Sequence, residues 1–477
     1  MDGAYEMVIG LEVHVELKTH SKIFCGCKTA FGAAPNTQCC PVCMGMPGTL
    51  PVLNEQAVHF AVKAGLATHC GITRYGKQDR KNYFYPDLPK AYQISQYDLP
   101  LCTGGYLDIE AEGEARRISI TRIHIEEDAG KLLHSSGGSL IDYNRCGVPL
   151  IEIVSEPDMR SAAQAKAYLQ NLRAVMMYLD ISDAKMNEGS FRCDVNLSVR
   201  KRGEQALGTR TETKNLNSFQ HVAKAIEYEA NRQVECLKAG HAIVQETRRF
   251  DVGAGATASM RTKENAQDYR YFPDPDLMPI AISDALIDAL TRELPALPEA
   301  RKRDYMENFG LSAYDAQQLV TEREISDYFD AAVDAGGQPK AVANLMLSEI
   351  FRLLPPETTR IPISPAHIAE LATIIERGEI NSSAAKRALQ IMWQSDERPS
   401  AVIAREDLSM VSDADIIRGH VREVLTEHAE LARDFIGGKV KVLEALIGMT
   451  MRKTRGKGNP ECIREQLLAE IHTDVKQ

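Results

Sequence analysis

No run of about 18 apolar residues occurs anywhere in the 477-residue chain, which argues against a helix that spans a bilayer. The opening MDGAYEMVIGLEV lacks a basic segment followed by an apolar one, so it reads as the start of a fold, and a cytosolic protein is expected. Positive charge is not in excess: 56 Lys plus Arg stand against 66 Asp plus Glu, for a net charge of −10. That balance argues against nonspecific coating of nucleic acid by the whole molecule and leaves room only for local basic patches. There is no internal repeat and no low-complexity tract. What remains, 44% hydrophobic and 26% charged residues, is the composition of a globular chain long enough for two or three domains.

Short alternating segments mixed with a few long helical patterns run to about residue 290, and beyond it strand signals disappear. SAAQAKAYLQNLRAVMMYL places Tyr168, Leu169, Leu172, Met176 and Leu179 at helical spacing. A second helix is expected to start after an N-cap at Ser218 and to stop at Gly240, and both helices should pack on a sheet. From Leu297 to about Trp393 short helices alternate with Pro and Gly breaks. A third segment begins near Glu406, and its residues 439–457 carry six basic side chains and one acidic one. VGAGATAS at 252–259 reads as a mobile loop; its Gly253, Gly255 and Ala258 imitate a dinucleotide fingerprint, but neither a buried strand before it nor a helix after it is expected. SSGGS at 135–139 imitates an amidase serine loop and reads better as a hairpin turn.

Eleven cysteines are too many to ignore and odd in number, and five of them fall between Cys25 and Cys43. Cys25-Gly-Cys27 and Cys40-Pro-Val-Cys43 form two short pairs whose separation lets two turns converge on one tetrahedral ion. Four thiolates leave no open position, so a zinc ion there would be structural; an iron–sulfur cluster is the smaller alternative, and Cys39 is left as the spare.

Several strands carry a charged face. In GLEVHVEL, Glu12, His14 and Glu16 alternate with Leu11, Val13, Val15 and Leu17. RIHIEED sets His124, Glu126 and Asp128 opposite Ile123 and Ile125, FRCDVNLSVR sets Arg192, Asp194, Asn196 and Ser198 opposite an apolar set, and TRTETKN adds Arg210, Glu212 and Lys214. The bland reading is the solvated face of an antiparallel sheet. Against it stands the composition: Glu-His-Glu and His-Glu-Asp sets suit a hard divalent cation such as magnesium, with phosphate completing its shell, and so a nucleotide site without a Walker loop. No H-E-x-x-H occurs to support a zinc hydrolase. RKNYFYPDLPKAYQISQYD, residues 80–98, adds Arg80, Lys81 and Lys90 among five aromatic rings, a mixture suited to phosphate contact and base stacking.

These segments, with SKIFCGC and CPVCMGMPGTLPVLN, DYNRCGVPLIEIVSEPD, EGSFRCDVNLSVR, GTRTETKNLNSF and DYRYFPDPDLMP, resemble the B-subunit (GatB/GatE) family of tRNA-dependent amidotransferases over about the first 280 residues. AVANLMLSEI and SSAAKRAL carry the resemblance into the helical part. It implies an α+β catalytic cradle with a zinc knuckle over residues 1–292, an all-α domain over 293–405, and a small all-α, YqeY-like tail over 406–477 that grips tRNA. The implied reaction is phosphorylation by ATP of the side-chain carboxylate of Glu-tRNA(Gln) or Asp-tRNA(Asn), followed by displacement of the phosphate by ammonia.

In that reading Glu12, His14, Glu126 and Glu152 serve magnesium or its water shell, Lys81 serves phosphate, and Glu212 and Lys214 serve the substrate or the ammonia path. Glu127 and Asp194 are further cofactor-binding candidates, and Cys25, Cys27, Cys40 and Cys43 hold zinc. Ammonia would come from a separate amidase (glutaminase) A subunit, with a small C subunit completing a heterotrimer. Two other classes compete: an RNA-binding adaptor with a merely solvated carboxylate face, and a free-standing ligase that activates a small carboxylic acid.

Overall fold

The computed structural model describes residues 3–135, 137–262, 269–355, 358–410, 413–454 and 456–474. Residues 1–298 and 299–477 form two compact units.

The first unit opens with the long strand β1 (Tyr5–Glu16) and the helix α1 (Glu55–Ala67), followed by β2 (Gly71–Ile72), β3 (Tyr75–Gly76), β4 (Asp79–Asn82) and β5 (Tyr92–Ser95). Two long strands, β6 (Cys102–Ala111) and β7 (Glu114–Glu127), lead to β8 (Lys131–Ser135), β9 (Gly138–Asp142) and β10 (Pro149–Ser155). Then come α2 (Ala162–Tyr178), β11 (Phe191–Lys201), β12 (Thr211–Lys214) and α3 (Phe219–Lys238). The unit closes with β13 (Glu246–Asp251), β14 (Ala256–Thr262), β15 (Phe272–Pro273), β16 (Ile280–Ala281) and α4 (Asp284–Arg292).

Nine strands make one sheet in the order β14-β13-β12-β11-β1-β10-β7-β6-β2, antiparallel throughout except between β12 and β13. Period-two alternation decides its faces. Leu11, Val13, Val15, Ile123, Ile125, Ile151, Ile153, Val195 and Leu197 are buried together with α1, α2 and α3 in a single core. Polar alternates are thereby turned to the opposite face, where the site is built. α2 begins at Ser161, whose hydroxyl accepts the Gln164 N–H, and buries Tyr168, Leu169, Leu172 and Met176 completely. At α3 the expected cap is present: Ser218 Oγ accepts from the His221 N–H, and Gly240 supplies the left-handed residue after the end at φ +78°.

α3 also carries a buried charge. Glu229 accepts hydrogen bonds from Thr211 of β12 (2.9 Å), Thr257 of β14 (2.8 Å) and Arg232 (2.9 Å), and Arg248 of β13 lies 3.1 Å away. One carboxylate thus fastens three strands at the sheet edge to the helix that covers them.

Residues 252–259 depart from the expected loop. β14 pairs with β13 through Phe250↔Thr257 and Arg249↔Ala258, so residues 256–259 are strand and a buried strand does precede the glycines. Asp251 Oδ1 accepts the Ala254 N–H and Gly255 takes φ +61°, which closes a tight hairpin; a strand, not a helix, follows. Of SSGGS, whose residue 136 lies outside the described residues, Ser135 of β8 pairs with Gly138 of β9, as a hairpin requires.

In the second unit Pro339, Pro365 and Pro399 each stand at the start of a helix, where a missing N–H costs nothing. Two apolar clusters form there. One gathers Phe329, Val342, Met346, Ile350, Leu371, Leu389 and Met392; the other gathers Ile417, Val421, Leu446, Ile463 and Leu467. Several of the basic groups near the C-terminus are already paired: Lys439 with Asp434, Lys453 with Glu427, and Lys457 with Asp407. Among the described residues no helix is long and apolar enough to cross a membrane.

Candidate active site

Antiparallel register brings the polar alternates of five strands into rows. His14 on β1 stands opposite Glu152 on β10, which stands opposite His124 on β7. His14 Nε2 lies 3.5 Å from Glu152 and 3.6 Å from Glu126; His124 Nε2 lies 3.4 Å from Glu152 and 3.7 Å from Glu126. Two imidazoles and two carboxylates therefore alternate around a small space, with Ser95 Oγ donating to Glu126 from β5. One donor atom each from His14, Glu126 and Glu152 lies within 4.8 Å of the others, a set that fits a hard divalent ion completed by water or phosphate. This is no solvated face: Glu126 and His124 are each 3% exposed and Glu152 9%. Burial alone would lower the His124 pKa, but the charges and hydrogen bonds of Glu152 and Glu126 together outweigh it and carry the imidazole up to about 9. Burial acts on Glu152 in the opposite direction, and the two imidazoles hold its carboxyl well below the usual range.

A second acidic group adjoins the first. Glu12 stands opposite Asp194, and Glu12, Asp194 and Glu212 also bring one oxygen each within 4.8 Å of the others. Lys214 bridges Asp194 and Glu212, the latter at 3.0 Å; Asn196 donates to Glu12 at 2.8 Å and Thr247 to Glu212 at 2.8 Å. Burial first, and then the Glu152 carboxylate, push the Glu12 carboxyl up. Glu12 therefore belongs to a group beside the His14–Glu126–Glu152 set, and the four residues grouped for magnesium divide between two neighbouring clusters.

Two cations flank the face. Lys81 on β4 has no ion pair within 4 Å among the described residues; its Nζ lies 5.1 Å from the Tyr269 ring centre. Burial would lower its pKa, but Glu126 and then Tyr271 and Glu152 raise it, so it stays charged. Arg122 stands opposite Val154, which stands opposite Glu12, and its buried Nε has no hydrogen-bond partner among the described residues. The other cations of residues 80–98 are committed: Arg80 to Asp274 and Asp276, Lys90 to Glu127.

Glu127 does not join the carboxylate face. Alternation turns it away from Glu126 to the side of Ile123 and Ile125, where the Ile94 N–H donates to it at 2.8 Å and Lys90 neutralises it. Sequence reasoning set His124 on the charged face without assigning it a role and passed over Arg122. Both lie at two-residue steps on the face that holds Glu126, and this alternation was the signal available.

The four cysteines converge as their spacing implies: Cys25, Cys27, Cys40 and Cys43 bring their sulfurs within 4.8 Å of one another, a donor set that suits zinc. Cys39 lies outside this cluster, its Sγ donating to the Asn36 carbonyl. A hydrogen bond from Cys25, followed by the Cys40 N–H and the Lys22 charge, holds the Cys43 thiol down at about 5 against the opposing effect of burial.

A family model described as GatB/GatE catalytic domain matches residues 7–288, and one described as GatB domain matches residues 327–471. The B subunit of the aspartyl/glutamyl-tRNA(Asn/Gln) amidotransferase of Caldicellulosiruptor bescii is 51% identical over 475 residues, which cover 98% of this chain and 99% of that protein. Proteins of the same name from Geotalea daltonii and Geobacter sulfurreducens are 52% and 50% identical over 475 residues, with the same coverage of both chains.

Proposed function

Because this chain belongs to the GatB/GatE family of amidotransferase B subunits, we propose that it activates the side-chain carboxylate of Glu-tRNA(Gln), Asp-tRNA(Asn) or both with ATP and then amidates it. The observation that carries this reading is the His14–Glu126–Glu152 set, with both carboxylates buried and two uncommitted cations, Lys81 and Arg122, beside it.

A carboxylate is a poor electrophile at neutral pH. Attack of its oxygen on the γ-phosphorus of ATP forms an acyl phosphate and releases ADP; ammonia then attacks the acyl carbon, the bond to phosphate breaks, and one proton leaves the nitrogen. Magnesium held by His14, Glu126 and Glu152 would draw phosphate oxygens together and offset the charge of the transferred group. His124 holds Glu126 and Glu152 in position from the far side. Lys81 and Arg122 grip phosphate oxygens, Arg122 from β7 of the nine-stranded sheet and Lys81 from the separate sheet β15-β4-β5. Glu12, Asp194 and Glu212 would supply carboxylates to receive the cationic form of ammonia and take its proton. The four thiolates hold structural zinc and staple the loop that follows β1.

Residues 1–292 act in this reading as the catalytic cradle, 293–405 as a helical domain, and 406–477 as the tail that binds tRNA. Ammonia comes from an amidase A subunit, and a small C subunit completes the heterotrimer. The test is amidation by the chain purified with its partners and supplied with Mg-ATP, charged tRNA and either glutamine or ammonium. Conversion with both nitrogen sources, lost from both in Glu126→Gln, supports the reading; conversion that survives the substitution removes activation from this site.

A further inference from the structure

Lys22 is among the most deeply buried side chains of the molecule, at 1% exposure, although it is a lysine. It lies in the turn that leads from β1 into the cysteine loop, where its backbone N–H donates to the Cys27 carbonyl. Its Nζ has two partners: the Tyr143 carbonyl at 3.2 Å and the Cys43 sulfur at 3.8 Å. No carboxylate lies within 4 Å of it among the described residues, since the carboxylate that shares its cavity, Glu127, is occupied by Lys90. Taking an ammonium out of water costs several kcal/mol unless an opposite charge meets it. A divalent ion held by four thiolates carries two net negative charges, and the sulfur nearest Lys22 belongs to that set.

We propose that Lys22 is the built-in counter-charge of the cysteine metal centre: its ammonium donates to the Cys43 thiolate, retains the metal, and ties the knuckle through the Tyr143 carbonyl to the loop that follows β9. The inference rests on reading the four cysteines as a metal site and goes beyond it in assigning a residue outside the ligand set. It explains why a lysine occupies a place where a leucine or methionine would pack at lower cost. The requirement is for a positive charge near Cys43 in the metal-loaded protein; in the metal-free protein the same charge has less to balance it. Removal of Lys22 should therefore cost more in the metal-loaded state than in the metal-free one, a difference that a packing role would not produce.

The experiment uses the full-length chain with its partners, as the wild type, Lys22→Met and Lys22→Arg. Metal content is measured first, because a wild type that neither contains nor binds zinc overturns the metal reading and this proposal together. Zinc loss to a colorimetric chelator is then timed, the sulfur-to-metal absorption of the cobalt-substituted chain is recorded, and melting is compared with and without metal. Lys22→Met should lose zinc about 10–100-fold faster, the scale on which a group hydrogen-bonded to a metal ligand acts. Lys22→Arg should fall between the two, and the cobalt charge-transfer band should shift in Lys22→Met. The melting temperature of Lys22→Met should drop further with metal than without it. Equal zinc loss in folded wild type and Lys22→Met, or a drop in melting temperature of the same size in both states, would show that Lys22 serves packing alone.

Discussion

His14 and Glu152 face each other across β1 and β10 with Nε2 and Oε2 3.5 Å apart, and the next strand, β7, sets His124 against the same carboxylate at 3.4 Å. Glu152 is thus shared by two imidazoles, and its substitution removes a ligand atom without opening a cavity. Glu152→Gln should reduce ATP-dependent amidation about 10²-fold or more and raise the magnesium concentration needed for half-activity. The check is a rate-against-magnesium titration alongside circular dichroism, which should be unchanged.

The buried side-chain Nε of Arg122 has no hydrogen-bond partner among the described residues, so truncating the side chain carries little structural cost. If it grips phosphate, loss of one charged hydrogen bond is worth about 1.5–3 kcal/mol. Arg122→Met should therefore weaken ATP binding roughly 10–100-fold, measured by calorimetric titration with a non-hydrolysable analogue, while the melting temperature stays close to that of the wild type.

Lys90 and Glu127 present the opposite case, a buried pair on the far side of β7. Lys90→Met leaves a carboxylate that is 2% exposed without its counter-ion and should cost about 3–5 kcal/mol in urea unfolding. Lys90→Met with Glu127→Leu should cost less than the single change, because no stranded charge remains.

Glu229 gives stability a signature at low pH. Burial raises its pKa, but the hydrogen bonds from Arg232, Gln233 and Thr257 outweigh burial and hold it below 4.5. A carboxyl depressed in the folded state contributes its full stability above the unfolded value and loses it as pH falls through the folded one. Glu229→Gln should therefore destabilise the chain by about 3 kcal/mol at pH 7, and the gap to wild type should narrow as pH falls below 4.5. Unfolding midpoints measured across that range test this.

Much of this organisation was legible in the sequence, for identifiable reasons. Alternation in GLEVHVEL and FRCDVNLSVR fixed which side chains share a face, and the two short cysteine pairs announced a converging cluster. Register was less accessible: nothing local says that Glu12 pairs with Asp194 or His14 with Glu152, so the division of the acidic residues into two clusters emerges only from strand pairing. Glu127 entered as a cofactor-binding candidate through the resemblance, although the alternation of RIHIEED already sets it on the side of Ile123 and Ile125, where Lys90 pairs with it. The glycines at 253 and 255 concealed a hairpin, since the same residue that loosens a loop also permits the left-handed turn between two strands.

The central claim is that this chain activates a tRNA-bound carboxylate at the His14–Glu126–Glu152 set. The most direct measurement supplies the partner-containing protein with labelled ATP, magnesium and Glu-tRNA or Asp-tRNA, withholds glutamine and ammonium, traps the activated carboxyl with hydroxylamine, and counts only side-chain hydroxamate, since hydroxylamine also cleaves the ester to tRNA. ADP formation that requires the charged tRNA and a hydroxamate on the tRNA-bound side chain are expected, both abolished in Glu126→Gln. Equal trapping in wild type and Glu126→Gln, or none with either tRNA in intact wild type, would contradict the claim.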